Sequence, residues 1–547
     1  MPPPGTNLRA PLLWLLLPFM GGLIAGKLGP DPPVAPVWLA ALAVGSCSAA
    51  VLVLRSPGKT RRWWAPLLAG GLALAGYAHL VRQSPAPPPW AATPREATVT
   101  LEVTQLFPAA AGAKFASGLG LVVSTDGLTA ELCGQRVYFS VIRKISVPPR
   151  RSGRYLVRGV VQTVPPGAGA DFNDYLDNLG VRWRLTRAQA LREEDAPGWW
   201  PRFLARTADR FAGILRHGLE RHPDTASLYL AMLLGQKAML STEEQTAFMR
   251  SGTFHIFSVS GLHVAAIAAA LHSLLQLLRV PPRLAMAPGL LVLWFYVAVT
   301  GAGSPAVRAF LLIGFTLSAR VFRLPGNSLA ALAAAALLTL LLEPRQLFST
   351  GFQMSYAVVT ALVVMGVPLA QRWQAAWRPF ADLPEPDWRR RHRWTKHGGR
   401  WLLGGLAASW VAFLASTPSG IGYFGVLSTG SLLANLVIIP LSSLVIIAGF
   451  VSLLCGLAGV LPASLLFNHA AAVLIRVMDA LVRQGTTLPG MYFPAHFRAE
   501  WLAPAALAAV VAAMLFGAHH RWAPQRGGFW LPAAVVAGGV ILGVKFG

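Results

Sequence analysis

Residues 431–455 read SLLANLVIIPLSSLVIIAGFVSLLC, and no Asp, Glu, Lys or Arg interrupts them. The charge-free stretch extends in both directions over residues 401–475. A helix needs about 20 consecutive apolar residues to cross a bilayer, so this stretch is long enough for several crossings. The whole chain of 547 residues is 54% hydrophobic and only 13% charged, about half the charged share of a soluble domain. The composition excludes a water-soluble globule and predicts a polytopic α-helical membrane protein of about 11 to 13 spans.

The predicted spans are interrupted by polar segments that divide the chain. Prolines at 85–89 end a first group of apolar segments, because proline cannot continue a helix. Within the later apolar regions, residues 463–484 carry Arg476, Asp479 and Arg483 and are predicted to lie at the membrane interface rather than to span it. We predict N-terminal transmembrane helices (1–84), an extracytoplasmic domain (90–195), amphipathic interfacial helices (200–252), a main transmembrane domain (253–490) and C-terminal transmembrane helices (500–547).

The domain at 90–195 has the pattern of a small β-barrel inserted between membrane helices. Short β-branched segments alternate with Gly and Pro, which is typical of strands and turns. The predicted strands are 97–106, 114–123, 129–142, 154–164 and 181–187. Five strands in so short a domain favour a Greek-key barrel of the OB type.

Basic residues set the expected topology. The chain carries 47 Lys and Arg against 22 Asp and Glu, a formal charge of +25. One set of loops is rich in Lys and Arg, above all at 55–62 and 372–400, whereas the opposite loops hold only Lys27, Arg308 and Arg345. By the positive-inside rule, the N-terminus is cytoplasmic and the region 95–250 is extracytoplasmic. The number of crossings within 401–475 stays open, and so does the sidedness of the later segments.

The positive-inside rule does not explain the positive charge of the barrel domain, because this domain is predicted to lie outside the cytoplasm. Residues 132–170 contain no acidic side chain. Seven basic residues in this stretch are predicted to bind DNA: Arg136, Arg143, Lys144, Arg150, Arg151, Arg154 and Arg158. Tyr138, Phe139 and Tyr155 lie among them, and single-stranded nucleic acid is bound by cations together with aromatic rings. The alternative is a patch that faces anionic lipid headgroups, with the aromatic rings inside the barrel.

An unusual polar stretch, GTFHIFSVSGLHV at 252–264, opens a predicted span. Its candidate residues are His255, Ser258, Ser260, Gly261 and His263. Ionisable groups inside a membrane are costly and tend to mark pathways or sites. Three interpretations remain open: a polar constriction in a transport path, close helix packing, and an intramembrane serine protease using Ser260 and His263. No HExxH motif occurs here, and no carboxylate lies within ten residues of either histidine, which disfavours a metal site.

The stretch at 254–264 resembles the H-x-x-x-V-S-G-L-H signature of the ComEC competence proteins, the membrane channels of bacterial DNA uptake. Further segments resemble this family's motifs in the same order: Leu234–Gln236, Gly303–Ala309, Gly351–Ser355 after Pro344, Thr417–Pro418 and Asn435–Pro440. The strong resemblance covers about residues 225–490, and residues 95–190 resemble the family's extracytoplasmic OB domain. The resemblance to this family adds five candidate channel residues: Ser304, Arg308, Gln353, Ser355 and Asn435. Arg308 is predicted at the outer end of a span. There it would either contact a phosphate of the DNA, or cap a helix or extend to the lipid headgroups.

The resemblance implies a bacterial inner-membrane channel that passes single-stranded DNA to the cytoplasm in natural transformation. Its expected partners are single-stranded DNA, membrane lipids, a DNA receptor, a separate nuclease, and a cytoplasmic motor or single-strand-binding protein. We expect no cofactor and no enzymatic activity, since the sequence holds neither a P-loop nor the HxHxDH cluster of the nuclease domain that many family members carry. An intramembrane protease and a small-molecule permease are the alternatives, although no internal repeat favours a permease.

Overall fold

The computed structural model describes residues 11–29, 36–55, 62–83, 93–107, 114–165, 172–196, 198–324, 326–380, 388–526 and 528–546. The prolines at 85–89 and most of the basic loop at 55–62 lie outside these residues. The helices are α1 (Leu13–Leu28), α2 (Pro36–Arg55), α3 (Trp64–Arg82), α4 (Phe172–Asn178), α5 (Trp199–Arg216), α6 (Pro223–Leu234), α7 (Thr242–Arg250), α8 (Gly261–Leu277), α9 (Pro282–Val299), α10 (Ser304–Val321), α11 (Ser328–Leu342), α12 (Thr350–Ala361), α13 (Val367–Ala376), α14 (Arg390–Phe424), α15 (Ser431–Leu457), α16 (Leu461–Thr487), α17 (Leu502–His519) and α18 (Leu531–Gly543). The strands are β1 (Arg95–Leu106), β2 (Phe115–Thr125), β3 (Arg136–Ile142), β4 (Arg154–Thr163), β5 (Trp183–Asp195), β6 (Val426–Leu427), β7 (Phe493–Phe497) and β8 (Val544–Phe546).

The helices confirm a multi-pass membrane protein. In the described chain, eight helices are long and apolar enough to cross a bilayer, and five shorter apolar helices accompany them. The predicted interfacial segment 463–484 forms the larger part of α16, which qualifies as a span by length and composition. Two of its charges neutralise each other within one helical turn, because Arg483 Nε donates to the Asp479 carboxylate at 2.9 Å. The helix is therefore less polar than a count of its charges indicates.

The chain divides into two compact units, Met1–Arg206 with Phe315–Phe352, and Thr207–Gly314 with Gln353–Gly547. We call them the barrel unit and the membrane unit. Most of α5 and all of α6 and α7 belong to the membrane unit. Unlike the amphipathic character expected of residues 200–252, α6 is buried on nearly every side.

A closed five-stranded barrel stands at the centre of the barrel unit. Its strand order is β1-β2-β3-β5-β4, with β4 returning to β1 and β3 parallel to β5. Alternate side chains such as Leu101, Phe139 and Trp183 fill its interior, as the period of two requires. The barrel confirms the predicted small β-domain, but two boundaries differ. Residues 127–132 form a 3₁₀ turn rather than strand, and β5 continues to Asp195 because it pairs with β4 as far as Arg154.

Polar contacts join the barrel to the ends of α1 and α11 within the same unit. Lys27 Nζ lies 3.6 Å from the Asp177 carboxylate, and Arg136 lies 3.8 Å from that of Glu343. Arg345 donates to the Asp177 carbonyl at 3.4 Å, and burial, together with neighbouring Arg182, lowers the pKa of its guanidinium. Lys27 and Arg345 are two of the few basic residues that the charge pattern assigns to the extracytoplasmic side. Their contacts agree with a barrel on that same side.

In the membrane unit, a small sheet of order β6-β7-β8 joins three distant segments. β6 follows α14, β7 follows α16, and β8 follows α18. The C-terminal ends of these three helices therefore lie on one face of the unit. The chain leaves this face after β6 and returns to it at β7, so α15 and α16 form one excursion from the face, and α17 with α18 forms a second one.

Candidate functional site

The signature stretch begins with a tight turn that only glycine adopts easily. Gly252 has φ +72°, and a Cβ at this position would lie 2.7 Å from Ser431 Cβ at the start of α15. Residues 254–257 then form a 3₁₀ turn, and Ser260 is the extended residue before α8. The signature is therefore a broken helix entry packed against α15, rather than the regular start of a span.

His263 reaches back to the residue that caps its own helix. Its Nδ1 accepts the backbone N–H of Ser260 at 3.3 Å and lies 3.1 Å from the Ser260 Oγ. The imidazole is fully buried among apolar side chains such as Val264 and Ile267. Because Nδ1 accepts the amide hydrogen, we assign the ring proton to Nε2. This arrangement closes the first turn of α8.

The other signature residues make local contacts. His255 is exposed, and its Nδ1 lies 3.3 Å from the Gly252 carbonyl. Ser258 Oγ donates to the His255 carbonyl at 2.8 Å. A Cβ on Gly261 would lie 3.9 Å from Ala309 Cβ, which places the start of α8 beside the second turn of α10.

Arg308 lies in that second turn, and its side chain is enclosed by protein. The residue is only 4% exposed, and its Nη1 donates to the Ser304 hydroxyl one turn earlier. The guanidinium lies over the ring of Tyr356 in α12, 5.8 Å from the centroid. A cation buried among membrane helices is energetically costly, which makes Arg308 a candidate functional residue.

The polar contacts continue into α14. Gln353 lies one turn before Tyr356 in α12, and its Oε1 accepts the hydroxyl of Tyr423 at 2.8 Å. We call Ser304, Arg308, Tyr356, Gln353 and Tyr423 the polar strip. Two members of the polar strip, Tyr356 and Tyr423, were not predicted from the sequence. Tyr356 could have been found because it lies three residues after Gln353 and therefore on the same face of the helix, whereas no pattern in the sequence connects Tyr423 with them.

Two predicted channel residues lie apart from the contacts described above. Ser355 is half-buried on α12, and Asn435 is half-buried on α15. Within the described part of the chain, no donor meets hydrogen-bond geometry at the buried Oδ1 of Asn435.

The seven basic residues of the barrel fall into two groups. Arg136 pairs with Glu343, Arg154 with Glu102 and Asp195, and Arg158 with Glu96. The remaining four, Arg143, Lys144, Arg150 and Arg151, lie exposed on the connection between β3 and β4. Among the described residues, no carboxylate forms an ion pair with Arg143, Lys144 or Arg150. The available positive charge is thus concentrated at one end of β3.

The same end of β3 holds two residues that the sequence interpretation missed. The Lys114 carbonyl accepts the Arg143 N–H at 3.0 Å, and Phe115, 48% exposed, is the cross-strand partner of Ile142. We call Lys114, Phe115, Arg143, Lys144 and Arg150 the basic corner. The pairing of β2 with β3 brings Lys114 and Phe115 beside Arg143 although they are far apart in sequence.

The three aromatic residues predicted to stack on bases lie elsewhere. Phe139 and Tyr155 belong to the barrel interior, and burial raises the pKa of the Tyr155 phenol. Tyr138 packs against Phe107 and Phe172 on the outside of the barrel. Phe115 is therefore the aromatic side chain that accompanies the exposed cations.

Together these features define a polytopic membrane protein with a buried arginine among its helices and a basic five-stranded barrel. The family model described as "Competence protein" matches residues 232–524, more than half of the sequence, and the chain belongs to this family. The match includes the signature and the whole polar strip.

Two curated relatives resemble part of the chain. ComE operon protein 3 of Bacillus subtilis is 29% identical over 201 residues, which are 36% of this chain and 25% of that protein. Recombination protein 2 of Haemophilus influenzae is 21% identical over 227 residues, 40% of this chain and 27% of that protein. The chain therefore spans about a quarter of the length of the curated relatives that it matches. No solved structure matches it.

Proposed function

We propose that this protein conducts a single strand of DNA across the bacterial inner membrane into the cytoplasm during natural transformation. One observation carries the proposal: Arg308 is buried in the membrane unit, where its guanidinium contacts Ser304 of its own helix and lies over Tyr356 of α12. Ser304 and Arg308 come from α10, Gln353 from α12 and Tyr423 from α14. A fixed cation surrounded by polar groups is what a phosphodiester needs once it has left bulk water.

The basic corner supports a role in receiving the strand. Three cations without ion-pair partners within the described chain and an exposed aromatic ring combine phosphate attraction with base stacking. The positive-inside pattern supports an extracytoplasmic barrel and a cytoplasmic N-terminus. In this proposal the strand binds the barrel first and then passes through the membrane unit.

Translocation makes and breaks no covalent bond, so the residues act by binding and solvating the strand. We assign degradation of the opposite strand to a separate nuclease, and the driving force to a cytoplasmic motor or single-strand-binding protein. The contact between Ser260 and His263 is the observation that favours a second candidate, an intramembrane serine protease. A base for a nucleophile is normally oriented by a third group, whereas capping of α8 accounts for the whole contact.

The test is deletion of the gene followed by uptake of end-labelled duplex DNA. Cells lacking the protein should still bind DNA at their surface but accumulate no nuclease-protected single strand inside. Re-expression of the natural protein should restore internalisation. Normal internalisation in the deletion strain would overturn the proposal.

A further inference from the structure

The helix α14 is longer than a membrane crossing requires. Its 35 residues make a helix of about 52 Å, whereas the hydrocarbon core of a bilayer is about 30 Å thick. Residues 402–424 carry no charged side chain and are by themselves about 34 Å long, enough for one crossing. We call the remaining residues of the helix, 390–401, the α14 extension. By the positive-inside rule, this end of α14 is cytoplasmic.

One face of the α14 extension packs against the end of α13. The ring of Trp377 lies so close to Gly399 that a Cβ at position 399 would clash with it. The side-chain amide of Gln374 donates to the Arg400 carbonyl at 2.9 Å. These contacts hold the extension in place on the membrane unit and leave its opposite face exposed.

The exposed face of the α14 extension combines tryptophans with cations. Four exposed residues, spaced i, i+4, i+7 and i+11, lie in one row along the helix: Arg390, Trp394, His397 and Trp401. Arg393 and Arg400 flank this row, because each lies one turn from His397. Trp394 and Trp401 are 79% and 61% exposed. We call these six residues the extension face.

The arginines of the extension face are available for an anion. Within the described part of the chain, no carboxylate forms an ion pair with Arg390, Arg393 or Arg400, and residues 388–478 contain no Asp or Glu. The first turns of a helix favour anions and disfavour cations, because the macrodipole is positive at that end. A bound anion would therefore be stabilised by the arginines and by the helix end together.

The length of the extension favours an anionic polymer in water over lipid headgroups. Trp401 lies at the edge of the apolar part of α14, where tryptophan commonly marks the membrane interface. Trp394 lies about 10 Å further along the helix axis, whereas the headgroup layer is only about 5–7 Å thick. A tilt of about 20° shortens this distance by less than about 1 Å. Trp394 and Arg390 therefore project beyond the lipid, where an exposed ring beside arginines suits base stacking and phosphate binding.

We propose that the extension face binds the DNA strand where it leaves the membrane unit on the cytoplasmic side. Bases stack on Trp394, and phosphates contact Arg390 and Arg393. Tyr423 of the polar strip lies near the opposite end of α14, so a single helix extends from the proposed path to this face. The identity of the ligand as single-stranded DNA rests on the proposed function.

Photo-crosslinking tests the site in the full-length protein, in nanodiscs of phosphatidylcholine. The photoreactive residue p-benzoylphenylalanine replaces Trp394 or, as a matched control, Trp501, which is 67% exposed and lies four residues after β7, near the face at which α14 ends. After irradiation with end-labelled oligothymidine, the label on the protein should be several-fold stronger at position 394. Equal labelling at both positions, or adducts with lipid alone, would overturn the proposal.

Competition distinguishes DNA from an acidic protein segment. Unlabelled oligothymidine should suppress the crosslink at position 394 at a several-fold lower concentration than polyglutamate of the same length. The reason is that polyglutamate offers charge but no base to stack on an aromatic side chain. Equal suppression by the two polymers would assign the extension face to an acidic protein partner and overturn the proposal.

A further measurement uses the salt dependence of oligothymidine binding to the same nanodiscs. Arg393→Gln should lower the slope of log affinity against log salt by about 0.7, the contribution of one phosphate contact on a single strand. Arg279→Gln, which removes an exposed cation after α8, should leave the slope unchanged. Equal slopes for the two variants would mean that the basic loops attract DNA without a defined site, and would contradict the proposal.

Binding at the extension face and transport fail separately in these experiments. A strand that crosslinks at position 394, in a protein whose deletion leaves DNA uptake intact, confirms the site and defeats the transport proposal. Loss of uptake on deletion, with no crosslink at position 394, supports transport and defeats the site.

Discussion

The imidazole of His263 lies 3.1 Å from the hydroxyl of Ser260 and accepts the backbone N–H of the same residue. This relationship could belong to a nucleophile and its base, or to a helix cap. The two possibilities make different demands on residue 260. A nucleophile must be a hydroxyl, whereas a cap needs only a short polar side chain before the first turn.

Substitution of Ser260 separates the two roles. Ser260→Asn should retain DNA uptake, because asparagine is as good a cap as serine. Ser260→Ala should lower the free energy of unfolding by about 1 kcal/mol, the usual cost of losing a cap. Thermal unfolding in detergent and uptake of labelled DNA measure both effects. Equal and complete loss of function in both variants, at normal protein level, would contradict the capping role.

Arg308 should be the most sensitive position of the polar strip. Arg308→Ala removes the buried guanidinium that contacts Ser304 and Tyr356, and we expect internalised DNA to fall by more than an order of magnitude. Arg308→Lys keeps the charge without the planar fork and should retain only part of the uptake. Arg320→Ala is the matched control, since Arg320 is an exposed arginine on the same helix. Normal uptake by Arg308→Ala, with equal protein in the membrane, would reduce Arg308 to a structural residue.

The basic corner should dominate DNA binding by the barrel. In the isolated segment 93–196, the triple substitution Lys114→Ala, Arg143→Ala and Lys144→Ala should lower the salt slope of single-strand binding by about 2, or 0.7 for each phosphate contact. The pair Glu96→Ala and Arg158→Ala removes an exposed ion pair without changing the net charge, and should alter neither slope nor stability appreciably. A segment that binds no single strand even at low salt would defeat the nucleic-acid interpretation of this surface.

Asn468 should be a stability determinant that the sequence interpretation did not identify. This fully buried residue of α16 accepts the Ser452 hydroxyl at 2.7 Å, and its amide donates to the carbonyls of Ile214 and His217 at 2.8 and 3.0 Å. Asn468→Ala removes these hydrogen bonds. Ser452 keeps its contacts with Ser464, whereas the two carbonyls lose the amide donor, at a cost of about 1–3 kcal/mol for each buried group left without a partner. The control is Gln484→Ala, which removes an exposed amide from the same helix. Equal melting temperatures for the two variants would show that the network contributes nothing.

Local patterns predicted much of the fold. The strands of the barrel followed from alternation and turn residues, and three of the five lie close to their expected positions, while the fifth continues eight residues further than predicted. The third predicted strand began too early because Gly127–Leu132, although rich in apolar residues, forms a 3₁₀ turn. Residues 463–484 were predicted to lie at the interface from three charges. Two of these charges, Arg483 and Asp479, form a pair within α16, and this helix is long and apolar enough to span a bilayer.

The candidate site was less predictable, because its contacts are distant in sequence. Gln353 and Tyr423 are separated by 70 residues, and nothing in either segment anticipates their hydrogen bond. Phe115 joined the cations of the barrel only through the pairing of β2 with β3. Phe139 and Tyr155 were predicted to stack on bases, but both side chains point into the barrel, because alternate residues of a strand face its interior.

Three features could be predicted from the sequence alone: the membrane class, the excess of basic residues in one set of loops, and the succession of family motifs. Each depends on the free energy of transferring one segment from water to lipid, or on residues adjacent in sequence. Three other features depended on which distant side chains and strands meet. They are the burial of Arg308, the ion pairs of three barrel arginines, and the position of the C-terminal ends of α14, α16 and α18 on one face. Such contacts are decided by the packing of whole helices and sheets, and no local pattern encodes them.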